Sequence, residues 1–447
     1  MTQKRKTAVL AAIQLPGESD TEHMASLAEL SRLVTTLGFD VVGQISQKRK
    51  AAASGTVFGE GKLKELAAFT GGKGFVAGFS KNRNTDDEAS DHIDLLGDGS
   101  LGDHVKAEVV VFDLELTPGQ LKNLEEATGV EVLDRTGVIL EIFSKHARSR
   151  EARLQVEIAK LGYLAPRLRA SNLGADRQGG GIGAKGAGET AHELDKRRIR
   201  DRIAELKQQL QGIQKEQDTR RSHRQDVPTV ALVGYTNAGK SSLMRALTGS
   251  EVLVADKLFA TLDTTVRSLH PETTPRILIS DTVGFIKKLP HDLVASFRST
   301  LDEALSASLL LFTVDASDPT FRSQLEVTKT VLNEIGADKV PSRLVLNKMD
   351  RLDSDEITSL QAEFPDSILI STKNPQDVQR VHGLILDFFE QGMQDVVYTI
   401  PYEKGFLTGE IRSRARVIRE TFEDEGTVLT IRAHAETHSW LEKKLCR

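Results

Sequence analysis

The sequence predicts an α/β protein: two segments built on largely parallel sheets, a helical hairpin between them, and a small α+β segment at the end. Three observations carry that expectation. Short apolar runs alternate with helical patterns over residues 1–146 and again over 227–393, the pattern of strand–helix–strand units. Residues 147–226 instead repeat apolar positions at alternating spacings of four and three, which narrows the apolar face to a seam. A glycine-bearing loop, Gly234–Ser241, sits directly between an apolar strand and a helix. The length of 447 residues suits two to four domains at ~150 residues each.

In the first segment Thr7–Ile13, Val41–Ile45, Gly74–Phe79, Val109–Phe112 and Val130–Leu133 read as strands. Ser26–Leu37, Lys62–Phe69 and Pro118–Thr128 read as the helices between them. Seven acidic residues, Asp86, Asp87, Glu88, Asp91, Asp94, Asp98 and Asp103, crowd the stretch 84–106 without periodicity, which reads as a solvated acidic loop. Further on, Leu154, Ile158, Leu161, Ala165 and Leu168 form one stripe, and Ile199, Ile203, Leu206, Leu210 and Ile213 a second. Two such helices bury each other's stripe as an antiparallel coiled-coil hairpin. Pro166 should kink or end the first helix, because proline lacks an N–H and its ring meets the carbonyl four residues back. The hairpin's tip, 179–188, holds six glycines in ten residues and has no conformation of its own. From 394, Val396–Ile400, a helix near Leu407–Glu420, Gly426–Ile431 and a last helix through Trp440 make the α+β end, with Trp440 a packing residue. The expected boundaries are 1–146, 147–226, 227–393 and 394–447.

Composition bounds the rest. A hydrophobic content of 39% with 35 glycines excludes a wholly disordered or fibrous chain. One cysteine, Cys446, excludes an intrachain disulfide and a multi-thiolate metal site, and points to a reducing, cytoplasmic setting. No apolar run reaches the ~20 residues that span a bilayer. Lys4-Arg5-Lys6 followed by Ala8–Ile13 has the order of a signal peptide, but the apolar stretch is too short, and a first strand is expected. A net charge of −5 argues against a nucleic-acid partner for the chain as a whole. Within 147–226, however, Lys and Arg outnumber Asp and Glu, so the remainder is more acidic than the total. A basic arm with a glycine tip suits RNA, since phosphate attracts Lys and Arg and glycine lets backbone approach; a solvated coiled coil with a flexible turn would have the same composition.

The chemistry lies in 227–393. After the strand Thr229–Val233 comes Gly234-Tyr235-Thr236-Asn237-Ala238-Gly239-Lys240-Ser241, the pattern G-x4-G-K-[S/T] in its strand–loop–helix context. Its backbone N–H groups would face a β-phosphate, Lys240 would reach the β- and γ-phosphates, and the Ser241 hydroxyl would ligate Mg²⁺. Asp281-Thr282-Val283-Gly284 follows the strand Ile277–Ser280. Its carboxylate would hold Mg²⁺ through water, and the Gly284 N–H would read the γ-phosphate. Asn347-Lys348-Met349-Asp350 follows Arg343–Leu346, and Asp350 can accept from guanine N1–H and N2–H₂, a pair adenine does not offer. Ser371-Thr372-Lys373 suits the loop at guanine O6. Phe259-Ala260-Thr261-Leu262-Asp263 supplies Thr261 as a second hydroxyl ligand to Mg²⁺. These elements in this order make a GTP-binding domain of the P-loop GTPase class. Phe285 stands where many GTPases place the glutamine that orients the attacking water. Either hydrolysis is slow alone and completed by a partner, or another group supplies the missing charge. Asn237 is one candidate, as the asparagine of such loops holds a potassium ion in some GTPases; it is equally read as a polar residue shaping the loop.

Gly234–Ser241, Phe259–Asp263, the stretch from Asp281 to Pro290 and Val314-Asp315-Ala316-Ser317-Asp318-Pro319 together closely resemble HflX-type GTPases. The resemblance extends to Phe58-Gly59-Glu60-Gly61-Lys62, Leu133-Asp134-Arg135-Thr136-Gly137, Arg153–Glu157, and Gly180–Gly183 with Gly186–Thr190, so it covers nearly the whole chain. Thr264 replaces the family's proline, Lys185-Gly186-Ala187-Gly188 its Arg-Gly-Pro-Gly, and Thr372 the alanine of its Ser-Ala-Lys; none of these removes a phosphate, Mg²⁺ or guanine contact. The resemblance implies a GTPase that binds the large ribosomal subunit and its rRNA through the hairpin 147–226, its glycine tip reaching toward the peptidyl-transferase centre. Such a factor would split ribosomes or keep subunits apart, with GTP hydrolysis, stimulated by the ribosome, driving release. A monomer is expected. Two other readings are a ribosome-assembly GTPase and a nucleotide-gated RNA-remodelling or stress adaptor whose N-terminal segment binds its own nucleotide. Residues 1–146 hold no second G-x4-G-K-[S/T], and Gly59-x-Gly61 alone is not specific.

Overall fold

The computed structural model describes residues 5–52, 55–76, 105–172, 191–222, 227–250, 258–259, 265–288 and 303–445. They form two compact units. One holds the described residues up to Gln214 together with Leu258, Phe259 and Lys288; the other holds the remaining described residues.

The first unit opens with β1 (Thr7–Gln14), α1 (Asp20–Leu37), β2 (Asp40–Lys48), α2 (Glu60–Thr70), β3 (Val109–Phe112), α3 (Pro118–Thr128), β4 (Glu131–Asp134) and α4 (Arg135–His146). Its four strands lie parallel in the order β2-β1-β3-β4. Every residue of the two central strands, β1 and β3, is buried, as expected where helices cover both faces of a sheet. Ser19 and Thr117 begin α1 and α3 with capping boxes, and Gly38 and Gly129 end them in the left-handed conformation, so the short linkers are set locally.

Two expectations are corrected here. Gly74–Val76 is not a strand: Gly74 has φ +74°, outside the extended region, and its N–H bonds the Ala127 carbonyl at 2.9 Å. The rest of that expected strand, residues 77–79, and the acidic stretch 84–103 lie outside the described residues. Helix α4 was not expected. Val138, Ile139, Leu140, Ile142 and Phe143 are all buried, and the polar edge of Glu141, Ser144 and Lys145 is short beside that nearly continuous apolar run.

At the carboxyl end of β3, Asp113 joins a buried ionic cluster. Arg135 donates to Asp113 Oδ1 at 2.6 Å and pairs with Glu29; Lys288, part of this same unit, donates to Asp113 Oδ2 at 3.0 Å. Two cations balance two carboxylates, which burial demands. Burial pushes the Asp113 carboxyl up, and Arg135, Lys288 and the Ser26 hydroxyl together hold it below the ordinary value.

The next helix, α5 (Arg150–Asn172), runs through Pro166 without ending, where a kink or stop was expected. The residue four back is Gly162, with no side chain to resist adjustment of the backbone there. Asp134 ties α5 to the sheet: Tyr163 Oη donates to its Oδ1 at 2.7 Å and Arg167 to its Oδ2 at 2.8 Å, while Arg167 also stacks on the Tyr163 ring. The same carboxylate caps α4 by accepting from Gly137 N–H. Helix α6 (Ala191–Ser222) has 32 residues, about 48 Å at 1.5 Å per residue. Arg202 reaches across to Glu157 of α5 at 2.9 Å, and Leu206 of the apolar stripe is fully buried. The glycine tip 179–188 lies outside the described residues.

The second unit holds a six-stranded sheet from β5 (Thr229–Val233), β6 (Thr265–Ser268), β7 (Leu278–Asp281), β8 (Leu309–Asp315), β9 (Ser342–Asn347) and β10 (Ile368–Leu369), ordered β10-β9-β8-β5-β7-β6. All pairs are parallel except β6–β7. Among the described residues, the helices that pack with it include α7 (Lys240–Thr248), α8 (Phe321–Glu334), α9 (Ser354–Glu363) and α10 (Pro375–Glu390). The chain leaves β5 toward β7 on one side and returns to β8 on the other, so strand order reverses beside β5, the place where open α/β sheets bind ligands.

The chain ends with β11 (Gln394–Ile400), α11 (Leu407–Arg414), β12 (Arg416–Glu423), β13 (Gly426–Ala433) and α12 (Ala435–Leu445). The three strands form an antiparallel sheet, β11-β13-β12. The helix expected over Leu407–Glu420 thus stops at Arg414. Val417, Ile418, Thr421 and Phe422 suit a strand, and the residues before Gly426 turn it back as a hairpin. Trp440 packs on this small core with the Arg414 guanidinium 4.7 Å over its ring.

Candidate nucleotide site

The phosphate loop leaves β5 on two glycines that no other residue can replace without movement. A Cβ on Gly234 (φ +152°) would lie 2.1 Å from the Thr313 carbonyl oxygen, and one on Gly239 (φ +96°) 2.2 Å from Asn347 Nδ2. The loop is therefore wedged between β8 and the Asn347 side chain. Asn347 Nδ2 donates to the Ala238 carbonyl at 2.9 Å and its Oδ1 accepts from Thr372 N–H at 3.2 Å. One fully buried amide so joins three loops that are far apart in sequence.

Lys240, the first residue of α7, is buried. Its Nζ donates to the carbonyls of Gly234 at 3.0 Å and Tyr235 at 2.8 Å. Burial lowers its pKa to about 8, against the opposing pull of Asp281. Next along, Ser241 Oγ donates to Asp281 Oδ2 at 2.6 Å. A hydroxyl and a buried carboxylate converging at a phosphate loop form an oxygen-only donor set, which fits Mg²⁺. Thr282 is spent on structure, its hydroxyl donating to the Leu232 carbonyl at 2.7 Å. Gly284 sits so close to the loop that a Cβ there would meet Thr236 Cα and Cγ2 at 2.9 Å and Lys240 Nζ at 3.0 Å. Val283 and Phe285 are buried, so neither offers a group to a water.

At the other end of the site, Asp350 Oδ1 accepts from Ser371 Oγ at 2.8 Å and Oδ2 from Lys373 Nζ at 2.6 Å. Lys373 and Ser371 hold the Asp350 carboxyl below the ordinary carboxylate range, so it is an oriented anion. Lys348, in the left-handed conformation at φ +67°, is anchored by Asp315 Oδ2 at 2.7 Å. Met349 N–H bonds the Ile370 carbonyl at 3.1 Å. Asp315 is a residue whose role sequence reasoning did not find; its position as the last residue of the apolar strand β8 was the available signal.

Asn237 has φ +60°, a conformation asparagine tolerates better than most residues. Phe259 belongs to the first unit, where its ring meets Phe143 edge-on at 4.5 Å. Ala260, Thr261, Leu262 and Asp263 lie outside the described residues. Among the described residues no three His, Cys, Asp or Glu side chains gather as a metal site, and no described helix is long and apolar enough to cross a membrane.

Three family models match the chain. Residues 24–76 and 98–144 match "GTP-binding GTPase N-terminal", 146–224 match "GTP-binding GTPase Middle Region", and 229–348 match "50S ribosome-binding GTPase". The GTPase HflX of Gluconacetobacter diazotrophicus is 56% identical over 98% of this chain and 97% of its own length. The chain belongs to the HflX GTPase family. The Escherichia coli HflX is 35% identical over 98% of this chain and 95% of its own. Among solved structures, a GTP-binding protein of Sulfolobus solfataricus in complex with GDP is 23% identical, covering 86% of this chain and 99% of that one at a TM-score of 0.43. As an HflX-family P-loop GTPase, the chain binds and hydrolyses GTP.

Proposed function

We propose that this GTPase binds the large ribosomal subunit in its GTP-bound state, splits ribosomes or keeps the subunits apart, and leaves on hydrolysis. The segment 147–226 would be the arm that meets rRNA, with 1–146, 227–393 and 394–447 as the other three domains. The observation that carries the reading is a phosphate loop with an oriented Asp350 carboxylate on the same chain as a long helix, α6, that exposes Arg197, Arg198 and Arg200 in a stretch with an excess of basic residues. The description "50S ribosome-binding GTPase" over 229–348 supports it. Lys240 and the Gly284 N–H would stabilise phosphate charge, Ser241 and Thr261 would hold Mg²⁺ with Asp281 behind a water, and Asp350 would select guanine. Bound Mg²⁺ would neutralise charge on the phosphate oxygens. The chain is expected to act in the cytoplasm as a monomer.

Sedimentation of 70S ribosomes with the protein and a non-hydrolysable GTP analogue tests the proposal. Free subunits should appear, and should not appear when residues 179–188 are replaced by a short turn, although GTP affinity is unchanged. Intact 70S particles with the parent protein would defeat splitting, and selective capture of immature particles would favour an assembly role.

Asn237 is proposed to hold potassium beside the transferring phosphate, supplying positive charge where Phe285 leaves none. GTP turnover should then be several-fold faster in potassium than in sodium salts at equal ionic strength; equal rates would refute it.

A further inference from the structure

The phosphate loop and the segment after Asp281 are zipped together by three hydrogen bonds. Thr236 N–H donates to the Phe285 carbonyl at 2.8 Å and Phe285 N–H to the Gly234 carbonyl at 3.1 Å, a short parallel bridge of Tyr235 with Phe285. These two bonds are main-chain and would form with almost any sequence. The third is different: Lys287 N–H donates to Tyr235 Oη at 2.6 Å. A phenol from inside the phosphate loop thereby extends the zip two residues beyond the bridge. Tyr235 is 4% exposed and Lys287 half-buried, so the phenol would be left without this partner in a largely buried place if the bond were lost.

The position matters because of what lies inside the clamp. Gly284 lies between the bridge and Asp281, where a side chain would collide with Thr236 and Lys240. Its N–H is the group that would meet the γ-phosphate. In a GTPase with a glutamine at the next position, a side chain can adjust to the attacking water. Here that position is Phe285, which is buried, so on this segment the backbone and not a side chain must be held in place at the γ-phosphate.

We infer that Tyr235 is a positioning residue for GTP hydrolysis, its phenol oxygen fixing the backbone that follows Gly284 in register with the phosphate loop. The inference rests on the assignment of Gly234–Ser241 and Gly284 to the phosphates. Nucleotide binding draws on the loop N–H groups and Lys240, which the phenol does not touch. The effect therefore falls on the chemical step, where a small misplacement of a preorganised donor is felt most.

The test is Tyr235→Phe in the full-length protein, which keeps the ring and removes only the oxygen. Expected are a fivefold to tenfold fall in kcat (about what one net hydrogen bond is worth), a KM for GTP within twofold, and unchanged affinity for fluorescent GDP. Affinity for GDP with aluminium fluoride, which mimics the reacting phosphate, should fall in parallel with kcat; a merely structural role would lower the melting temperature without this split. A kcat within twofold of the parent overturns the inference, as does equal loss of GDP and GTP affinity at unchanged kcat. GTP turnover by the parent, and its loss in Lys240→Met, check the phosphate-site assignment separately.

Discussion

Lys240→Met should lower kcat/KM for GTP by about three orders of magnitude, the largest single loss expected from any residue of the site. The side chain is buried and its ammonium is satisfied by two carbonyls, Gly234 and Tyr235. Holding it charged is costly: lowering the pKa from 10.5 to about 8 corresponds to about 3 kcal/mol of stability carried as a penalty at neutral pH. The sign follows from the direction of the shift. A lysine depressed by folding is least favourable to the fold below its folded pKa, and the penalty fades as pH rises from about 8 toward the unfolded value. A polyphosphate reverses this preference, because its negative oxygens favour the charged form. Nucleotide binding should therefore take up a proton when the pH lies above about 8. GTP affinity should weaken about tenfold between pH 7 and pH 9, below the ionisation of guanine itself, and Lys240→Met should remove that slope along with most of the affinity. Titration of fluorescent GTP in buffers across this range measures both. A flat profile for the parent would mean that Lys240 is fully protonated throughout and that burial does not set its pKa.

Much of the phosphate loop was legible because its requirements are local. Glycines at 234 and 239 are demanded by φ values and by contacts within van der Waals reach, and both demands are written into the spacing of G-x4-G-K-S. Helices with caps, such as α1 behind Ser19 and α3 behind Thr117, were legible for the same reason. What escaped were features fixed by distant partners. Asn347 reads from sequence as part of a base-recognition motif, yet its amide is the tie between Ala238 and Thr372, residues 109 and 25 positions away. Tyr235 reads as a variable position of the loop, and only the fold brings Lys287 to its oxygen. Helix α4 was hidden because its run of buried apolar residues, Val138–Leu140 with Ile142 and Phe143, is as short as a strand and shows little period. Strand β12 was hidden because its charged residues continue the pattern of the preceding helix, and only pairing with β13 decides between them. Pro166, a strong local stop signal, was overridden by the anchoring of Tyr163 and Arg167 to Asp134 on either side of it.

Asp350→Asn should change which base the protein accepts. The carboxylate is fixed at both oxygens, by Ser371 at 2.8 Å and Lys373 at 2.6 Å, so its remaining lone pairs have defined directions. Guanine presents two donors side by side, N1–H and N2–H₂, and an ionised carboxylate can accept both. The partners that lower its pKa keep it ionised through the physiological range, so guanine selection should be constant down to the acidity where the carboxyl protonates. A carboxamide offers one acceptor and places an NH₂ against the second donor. The loss of one charge-assisted bond and the conflict at the other should cost about 3–4 kcal/mol, or two to three orders of magnitude in GTP affinity. Xanthine differs from guanine by carrying a carbonyl where guanine carries N2–H₂. The carboxamide of the Asp350→Asn variant offers that base an NH₂ for the carbonyl and a carbonyl for N1–H, so affinity for xanthosine triphosphate should rise as that for GTP falls. Competition of the two nucleotides for the parent and the variant, read by displacement of fluorescent GDP or XDP, gives the ratio directly. Loss of both affinities together would mean that Asp350 holds the loop of Ser371 and Lys373 in place rather than reading the base. A parent that already binds the two nucleotides equally would remove it from base selection altogether.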